Sequence, residues 1–153
     1  MPIFNIRVYG MLLTEEKQVL VMDELIRGTV YTKFPGGGLE YGEGTRECLV
    51  REFMEELNLE IEVGEHIYTT DFFQQSAFHP DHQILSIYYR VHPKEALRQN
   101  ELMNFIQANL AEDAPDISDE IRGIRFIDWH RFSEEDVSLP IDKIAVRVLK
   151  NSH

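Results

Sequence analysis

The sequence predicts a mixed α/β or α+β fold built around a largely buried sheet. Segments rich in β-branched and aromatic residues alternate with segments of helical period, which indicates interleaved strands and helices. Hydrophobic residues make up 43% of the 153 residues and charged residues 27%, which is typical of a globular protein and not of a disordered one. The length predicts one domain over residues 1–153.

The first third of the chain is predicted to form strands. Residues 3–13 and 18–26 are rich in β-branched and aromatic side chains, and a polar turn separates them. A short third strand is expected at residues 30–34. We expect Pro35 and the glycines at 36–38 to end it, because proline cannot donate to a ladder and glycine has little strand preference.

The period becomes helical over residues 45–57. The apolar side chains there recur at i, i+4 and i+8 on one stripe, which predicts a helix with one buried face. They are Leu49, Phe53 and Leu57. Thr45 is placed to cap the N-terminus, and Asn58 is placed for the left-handed residue that often ends a helix.

The remaining elements alternate in the same way. Predicted strands are residues 59–63, 66–73, 83–92 and 121–129. Predicted helices are residues 94–110 and 141–149. The acidic stretch at 111–120 is expected to be a solvated loop, with a contribution to a lid or a metal site as the alternative.

Net charge restricts the partners of the chain. Twenty-seven acidic residues against fifteen basic ones give a formal net charge of −12. A surface of this sign repels phosphate backbones, which argues against general nucleic-acid binding. It also repels small anionic substrates, so a phosphate ester substrate would need a divalent cation beside it.

The sequence gives no indication of export or of a membrane span. The longest uncharged apolar stretch, residues 8–13, is far shorter than the roughly 20 residues of a membrane helix. The N-terminus lacks a basic region followed by a small-residue cleavage site, and the single cysteine, Cys48, cannot form an intrachain disulfide. We therefore expect a cytoplasmic protein.

Three carboxylates on the predicted helix 45–57 form the most informative cluster. At 100° per residue, Glu52, Glu55 and Glu56 share an arc of about 100° beside the buried stripe. Like charges at these spacings weaken an isolated helix, so the cluster calls for a counter-ion. Oxygen-rich sites of this kind suit Mg²⁺ or Mn²⁺, although an isolated cluster would more often be a solvated helix face.

The glycine run and an ion pair complete the cluster. Glycine lets the main chain approach a ligand closely, and the carbonyl of Gly37 is a candidate oxygen ligand. Arg51 precedes the first acid and is expected to point off the acidic arc, where it could hold Glu43 and tie the glycine loop to the helix. A purely structural role is favoured for Glu43 and Arg51.

The stretch from Gly37 to Leu59 resembles the Nudix box, whose pattern is G-x5-E-x7-R-E-U-x-E-E-x-G-U with U a bulky apolar residue. Every specified position matches except the last glycine, which is Asn58, and Phe53 is an aromatic U. Asn is the best non-glycine residue for a left-handed helix end, so this departure leaves the acids unaffected. The resemblance implies an α/β/α sandwich with a mixed sheet.

The resemblance also implies metal-dependent hydrolysis of a phosphoanhydride in a nucleoside diphosphate linked to another group. Glu52, Glu55, Glu56 and the Gly37 carbonyl would bind Mg²⁺ or Mn²⁺, and Glu52 is the first candidate for orienting or deprotonating the water. Some relatives add an acid before the last strand, and Glu120 is the best-placed candidate, followed by Asp119 and Asp116. ADP-ribose or another nucleotide sugar ranks first as substrate, and a modified nucleoside triphosphate second.

A Nudix-like sensor that binds a nucleotide ligand without turnover is the alternative function, and the three intact box acids favour the enzyme. Many relatives are homodimers, which the long N-terminal strands would allow.

His79 and His82 are read as a polar turn rather than a metal site, and Cys48 as a small buried residue rather than a nucleophile. For aromatic residues in predicted strands, packing is favoured over base stacking. These are Phe72, Phe73, Tyr88 and Tyr89.

Overall fold

The computed structural model of the chain describes the backbone of residues 1–111 and 120–152, and the side chains of residues 1–108 and 123–152. The strands are β1 (Ile3–Leu12), β2 (Gln18–Ile26), β3 (Thr29–Lys33), β4 (Gly36–Gly38), β5 (Ile61–Thr69), β6 (His82–Pro93) and β7 (Glu120–Asp128). The helices are α1 (Thr45–Leu57), α2 (Gln99–Ala111) and α3 (Pro140–Asn151), with a short 3-10 helix at Glu134–Asp136.

The strands form a mixed sheet and a smaller antiparallel one. The larger sheet has the order β4-β1-β6-β5, and the smaller has the order β3-β2-β7. Strands β1 and β6 run parallel from the Ile3–His82 pair to the Leu12–Val91 pair, whereas β1 with β4 and β5 with β6 are antiparallel. This parallel pair requires a long crossover, which includes α1 and carries the acidic segment across the sheet.

Alternation along the strands creates two cores. In β2, Leu20 and Met22 pack with residues of α1 and α2, while Val19 and Val21 pack with residues of α3. Because successive strand side chains point to opposite faces, one strand serves both cores. Helices therefore cover both faces of the sheet layer, which confirms the predicted α/β/α sandwich with a mixed sheet.

Three predicted elements differ from the structure. The glycines of β4 pair with β1 through Val8 and Gly37 instead of only ending the preceding strand, because residues without side chains can approach β1 closely. The predicted strands 59–63 and 66–73 form one strand, β5, whose two register shifts absorb the irregular residues between them. Helix α2 begins at Gln99 rather than at residue 94, because the Lys94 amide donates to the Glu60 carbonyl at 3.0 Å and prolongs the pairing of β5 with β6.

Two further comparisons concern the acidic stretch and the possibility of a membrane span. The acidic stretch 111–120 lies outside the described residues except at its two ends, so the loop expected there stays a prediction. Across the described part of the chain, the helices are too short or too polar to cross a bilayer.

Candidate active site

The glycine strand β4 is the backbone floor of the site. Gly36 has a φ of +147°, and a Cβ there would lie 2.1 Å from the Val8 carbonyl oxygen, so only glycine fits. At Gly37 a Cβ would come within 2.5 Å of Glu52 Oε2. The Glu52 carboxylate of α1 thus occupies the space that a side chain at Gly37 would need.

Helix α1 is fixed by its buried stripe and by its ends. Leu49, Phe53 and Leu57 are at most 1% exposed, as predicted. The prediction that Thr45 caps the N-terminus is wrong, because Thr45 is the first helical residue and Gly44 is the N-cap. The Gly44 amide donates to Glu47 Oε1 at 2.7 Å. At the other end Asn58 has a φ of +52° and donates its amide to the Met54 carbonyl, which confirms the predicted left-handed cap.

Arg51 gathers the first two acids of the helix. Its Nη1 donates to Glu52 Oε2 at 3.1 Å and to Glu55 Oε1 at 3.2 Å. The expectation that Arg51 points off the acidic arc is therefore wrong, because its long side chain reaches back across the face that carries both acids. Burial raises the pKa of Glu52, and the Arg51 charge only partly opposes that effect.

Arg51 also ties the glycine strand to the helix. Its Nη2 and Nε donate to the two carboxylate oxygens of Glu43 at 2.7 and 3.0 Å, and Nη2 donates to the Gly38 carbonyl at 3.1 Å. The hydrogen bonds from Arg51 lower the pKa of Glu43 to about 2, so Glu43 stays ionised at neutral pH. Glu43 and Arg51 thus make the contact that a structural ion pair between the glycine strand and the helix would need.

Glu56 is the most deeply placed acid of the site. Its Oε1 accepts from the Gly36 amide at 3.1 Å, and burial raises its pKa to about 8. The Gly36 hydrogen bond favours the charged form, whereas the nearby negative charge of Glu52 disfavours it. The positive charge of Lys33 also favours the charged form, but burial outweighs it together with the Gly36 hydrogen bond.

The chemistry of these donors fits a hard divalent cation. Glu52 and Glu56 are partly buried carboxylates against glycine main chain, and oxygen donors of this type suit Mg²⁺ or Mn²⁺. Among the described side chains, no three acidic, histidine or cysteine groups converge as a ligand cluster. Glu52 and Glu55 instead share the guanidinium of Arg51. Glu120 is the first residue of β7, and its side chain lies outside the described part, as do Asp119 and Asp116.

A cavity of about 500 Å³ lies beside the acidic residues. Three cations line it, namely Arg7, Arg27 and Lys33. Lys33 faces Glu24 at 3.4 Å, and Arg7 donates from its Nε to the Tyr9 hydroxyl at 2.6 Å. Glu52, Glu55 and Glu56 do not line the cavity, but Arg7 does and also interacts electrostatically with Glu52, so the cavity neighbours the box acids. The sequence signal for Arg7 and Lys33 is that each is the single cation of its strand, β1 and β3 respectively.

The other interpretations of single residues have mixed outcomes. His82 donates its amide to the His79 carbonyl at 3.0 Å, in agreement with a polar turn. Cys48 is buried, and burial raises the pKa of its thiol to about 12, in agreement with an inert core residue. The packing interpretation holds for Tyr88 and Tyr89, which are buried. It is wrong for the exposed Phe72 and Phe73, because β5 ends at Thr69 and leaves them in a loop.

Comparisons with known proteins agree with this geometry. A family model described as the NUDIX domain matches residues 4–150. No curated protein matches the chain. A NUDIX hydrolase from Nitrosomonas europaea superposes with a TM-score of 0.69 at 16% identity, covering 99% of this chain and 90% of that one. A MutT protein from Methanosarcina mazei Go1 superposes with a TM-score of 0.67 at 13% identity, covering 99% of this chain and 96% of that one. An ADP-ribose pyrophosphatase from Streptococcus suis superposes with a TM-score of 0.57 at 15% identity, covering 97% of this chain and 92% of that one.

Proposed function

The chain belongs to the NUDIX domain family of hydrolases, and from this premise we propose that it cleaves a phosphoanhydride bond in a nucleoside diphosphate derivative with Mg²⁺ or Mn²⁺. The observation that carries the proposal is the placement of Glu52 and Glu56. Both carboxylates lie against the glycine main chain of β4, and burial raises the pKa of each. Such a pair gains most from a cation that also binds phosphate oxygens.

The proposed ligands are Glu52, Glu55, Glu56 and the Gly37 carbonyl, with Glu120 as a further candidate. The chemistry supplied by bound Mg²⁺ or Mn²⁺ is a lowered pKa of water and neutralised charge on the diphosphate. Glu52 is the residue proposed to orient or deprotonate the attacking water. Its raised pKa makes it a stronger base than an exposed glutamate, and it interacts electrostatically with Arg7 of the cavity wall.

Arg51 has two functions in this proposal. Its bonds to Glu43 and to the Gly38 carbonyl hold the glycine strand on the helix. Its Nη1 bonds to Glu52 and Glu55 neutralise these acids, and a bound cation would take over these two contacts alone. A guanidinium can do both because its planar fork carries five donors.

The cavity beside the acids supports a nucleotide substrate. Its volume of about 500 Å³ is within the range of small-molecule sites, and Arg7 and Lys33 supply positive charge in a chain of net charge −12. We propose ADP-ribose or another nucleotide sugar as the first substrate class and a modified nucleoside triphosphate as the second. A nucleotide-binding sensor without turnover is the alternative that the experiment below separates.

A product assay over a panel of nucleoside diphosphate derivatives and triphosphates tests this function. It is run with Mg²⁺ or Mn²⁺, with and without EDTA, on the wild type, on Glu52→Gln and on Glu60→Gln. Glu60 is exposed and lies just beyond the box acids, so its variant is the matched control. We expect turnover of one substrate class, its loss with EDTA, and a fall of about 100-fold or more in Glu52→Gln alone.

Three outcomes contradict the proposal in different ways. Turnover unaffected by EDTA would exclude the metal mechanism, and full activity of Glu52→Gln would exclude its role with water. Tight binding of a panel compound without turnover would establish the sensor instead.

A further inference from the structure

A second, smaller cavity of about 210 Å³ lies apart from the one beside the acidic residues. Helix α3 contributes the buried Asp142 of its first turn to the larger cavity and Leu149 of its last turns to the smaller one, about 10 Å further along the helix axis. Most residues that line the smaller cavity are apolar, namely Met11, Leu12, Leu13, Val19, Trp129 and Leu149. We refer to it as the Trp129 cavity.

The other two residues that line the Trp129 cavity, Lys17 and Arg90, are cations. The side chain of Arg90 is 18% exposed, and its Nε is buried without a hydrogen-bond partner among the described residues. Glu65 Oε1 lies 3.7 Å from this nitrogen, which is beyond hydrogen-bond distance. A buried donor without an acceptor is costly, and such groups are almost always paired. The position beside Arg90 Nε is therefore suited to an acceptor from outside the described part of the chain.

The apolar wall of the Trp129 cavity is held in place by its own contacts. Lys150 Nζ donates to the Trp129 carbonyl at 2.6 Å and lies 4.2 Å from the centroid of its ring. The Trp129 ring also stacks with the buried ring of Phe132, with centroids 6.5 Å apart. The Trp129 amide donates to the Lys17 carbonyl at 2.8 Å, which joins the wall to the turn that carries the second cation. A wall fixed before a ligand arrives reduces the ordering cost of binding.

We propose that the Trp129 cavity binds a small carboxylic acid whose carboxylate pairs with Arg90 and whose apolar chain packs against the wall. A carboxylate presents two acceptors to a guanidinium and forms charge-assisted hydrogen bonds with it. The exposed Lys17 adds positive charge at the same cavity. A volume of about 210 Å³ holds about seven non-hydrogen atoms, if each takes the roughly 30 Å³ of a water molecule in the liquid. This site lies apart from the acidic residues, so its ligand is independent of the proposed function.

Fluorescence titration of the full chain with pentanoate tests this site. Trp129 is the only tryptophan of the chain, so its emission reports on the cavity directly. Pentanoate has seven non-hydrogen atoms, and we expect a saturable change with a Kd of about 1 mM or below at constant pH and ionic strength. Pentanamide has the same shape without the charge, and acetate has the charge without the chain. Each should bind about 10-fold more weakly or worse.

Three variants separate the role of Arg90 from a general effect of charge. Arg90→Met keeps an apolar stem for packing and should lose the preference for pentanoate over pentanamide. Arg147→Met is the matched control, because Arg147 pairs with Glu134 at 2.8 Å and does not line the cavity, so this variant should keep that preference. Glu65→Gln removes the carboxylate that competes for Arg90 and should bind pentanoate about twofold tighter or more.

Four results would overturn the proposed site. They are no saturable change below about 20 mM pentanoate, equal Kd values of pentanoate and pentanamide in the wild type, an unchanged preference in Arg90→Met, and an equal loss of preference in Arg147→Met. If Arg90→Met does not fold, Glu65→Gln decides the matter, since equal or weaker binding of pentanoate by that variant would contradict the pairing with Arg90.

Discussion

Replacing Gly37 with alanine is expected to abolish most activity while the protein stays folded. A Cβ at this position would lie 2.5 Å from Glu52 Oε2, whereas ordinary van der Waals contact begins at 3.4 Å. The carboxylate must therefore move by about 0.9 Å, the difference between those two distances. A displacement of about 1 Å at a reacting group costs on the order of 100-fold in rate, so kcat/KM should fall by that factor.

The cost in stability should be small at this position. Gly37 does not have a positive φ, and the clash is with the end of a flexible side chain rather than with the backbone. Gly36→Ala is the contrasting variant, because its φ of +147° and its approach of 2.1 Å to the Val8 carbonyl leave no room for relaxation. We expect urea unfolding to show a loss of more than about 2 kcal/mol for Gly36→Ala and less than about 1 kcal/mol for Gly37→Ala.

The assay is hydrolysis of the best panel substrate by Gly37→Ala at several concentrations of Mg²⁺ or Mn²⁺. Gly123→Ala is the control, since a Cβ there meets no atom of the described residues within 4 Å. Activity of Gly37→Ala within threefold of the wild type would refute the reasoning that the carboxylate of Glu52 must lie on the glycine main chain. A destabilised Gly37→Ala protein would refute the distinction between the two glycines.

Three further predictions concern stability and reactivity. The pKa of Asp142 is raised from 3.8 to about 6 in the folded state, so its contribution to stability is complete below pH 3.8 and is lost as the pH rises through 6. The unfolding free energy of Asp142→Asn relative to that of the wild type should therefore increase by about 3 kcal/mol between pH 4 and pH 8. A difference that stays constant across this range would contradict the burial argument. Asn58 holds a φ of +52°, so Asn58→Gly should keep or raise the melting temperature, whereas Asn58→Ala should lose about 1 kcal/mol; equal stabilities would show that the cap conformation is not retained. Cys48 is buried with its thiol pKa raised to about 12, so Ellman's reagent should label it only after unfolding, and rapid labelling of the native protein would disprove its burial.

Local sequence pattern was sufficient to predict β2, α1 and the cap at the end of α1. The bounds of β2 and of the helix α1 agree with the prediction, because strand alternation and helical period repeat over several residues. The left-handed cap at Asn58 followed from residue chemistry alone. Family membership followed from the spacing of the box residues, and the family model that matches residues 4–150 confirms it.

Elements that depend on distant partners were predicted less well. The glycines of β4 form a strand only because β1 lies beside them, and residues 94–98 stay out of α2 because Lys94 pairs with Glu60. Phe72 and Phe73 carry the side chains of a buried strand, yet they follow the end of β5 and are exposed. In each case a tertiary contact or its absence among the described residues outweighs local preference.

By itself, the sequence determined the fold class, the acidic helix face and the family to which the chain belongs. These depend on spacings within one segment, where the helical period fixes which side chains are neighbours. Only the tertiary structure decided that Glu56 accepts from the Gly36 amide, that Arg7 and Lys33 share a cavity, and that Asp142 meets Tyr88 across 54 residues of sequence. The physical reason is that burial and charge at a site are set by whichever segments the sheet brings together, and a linear pattern does not encode those neighbours.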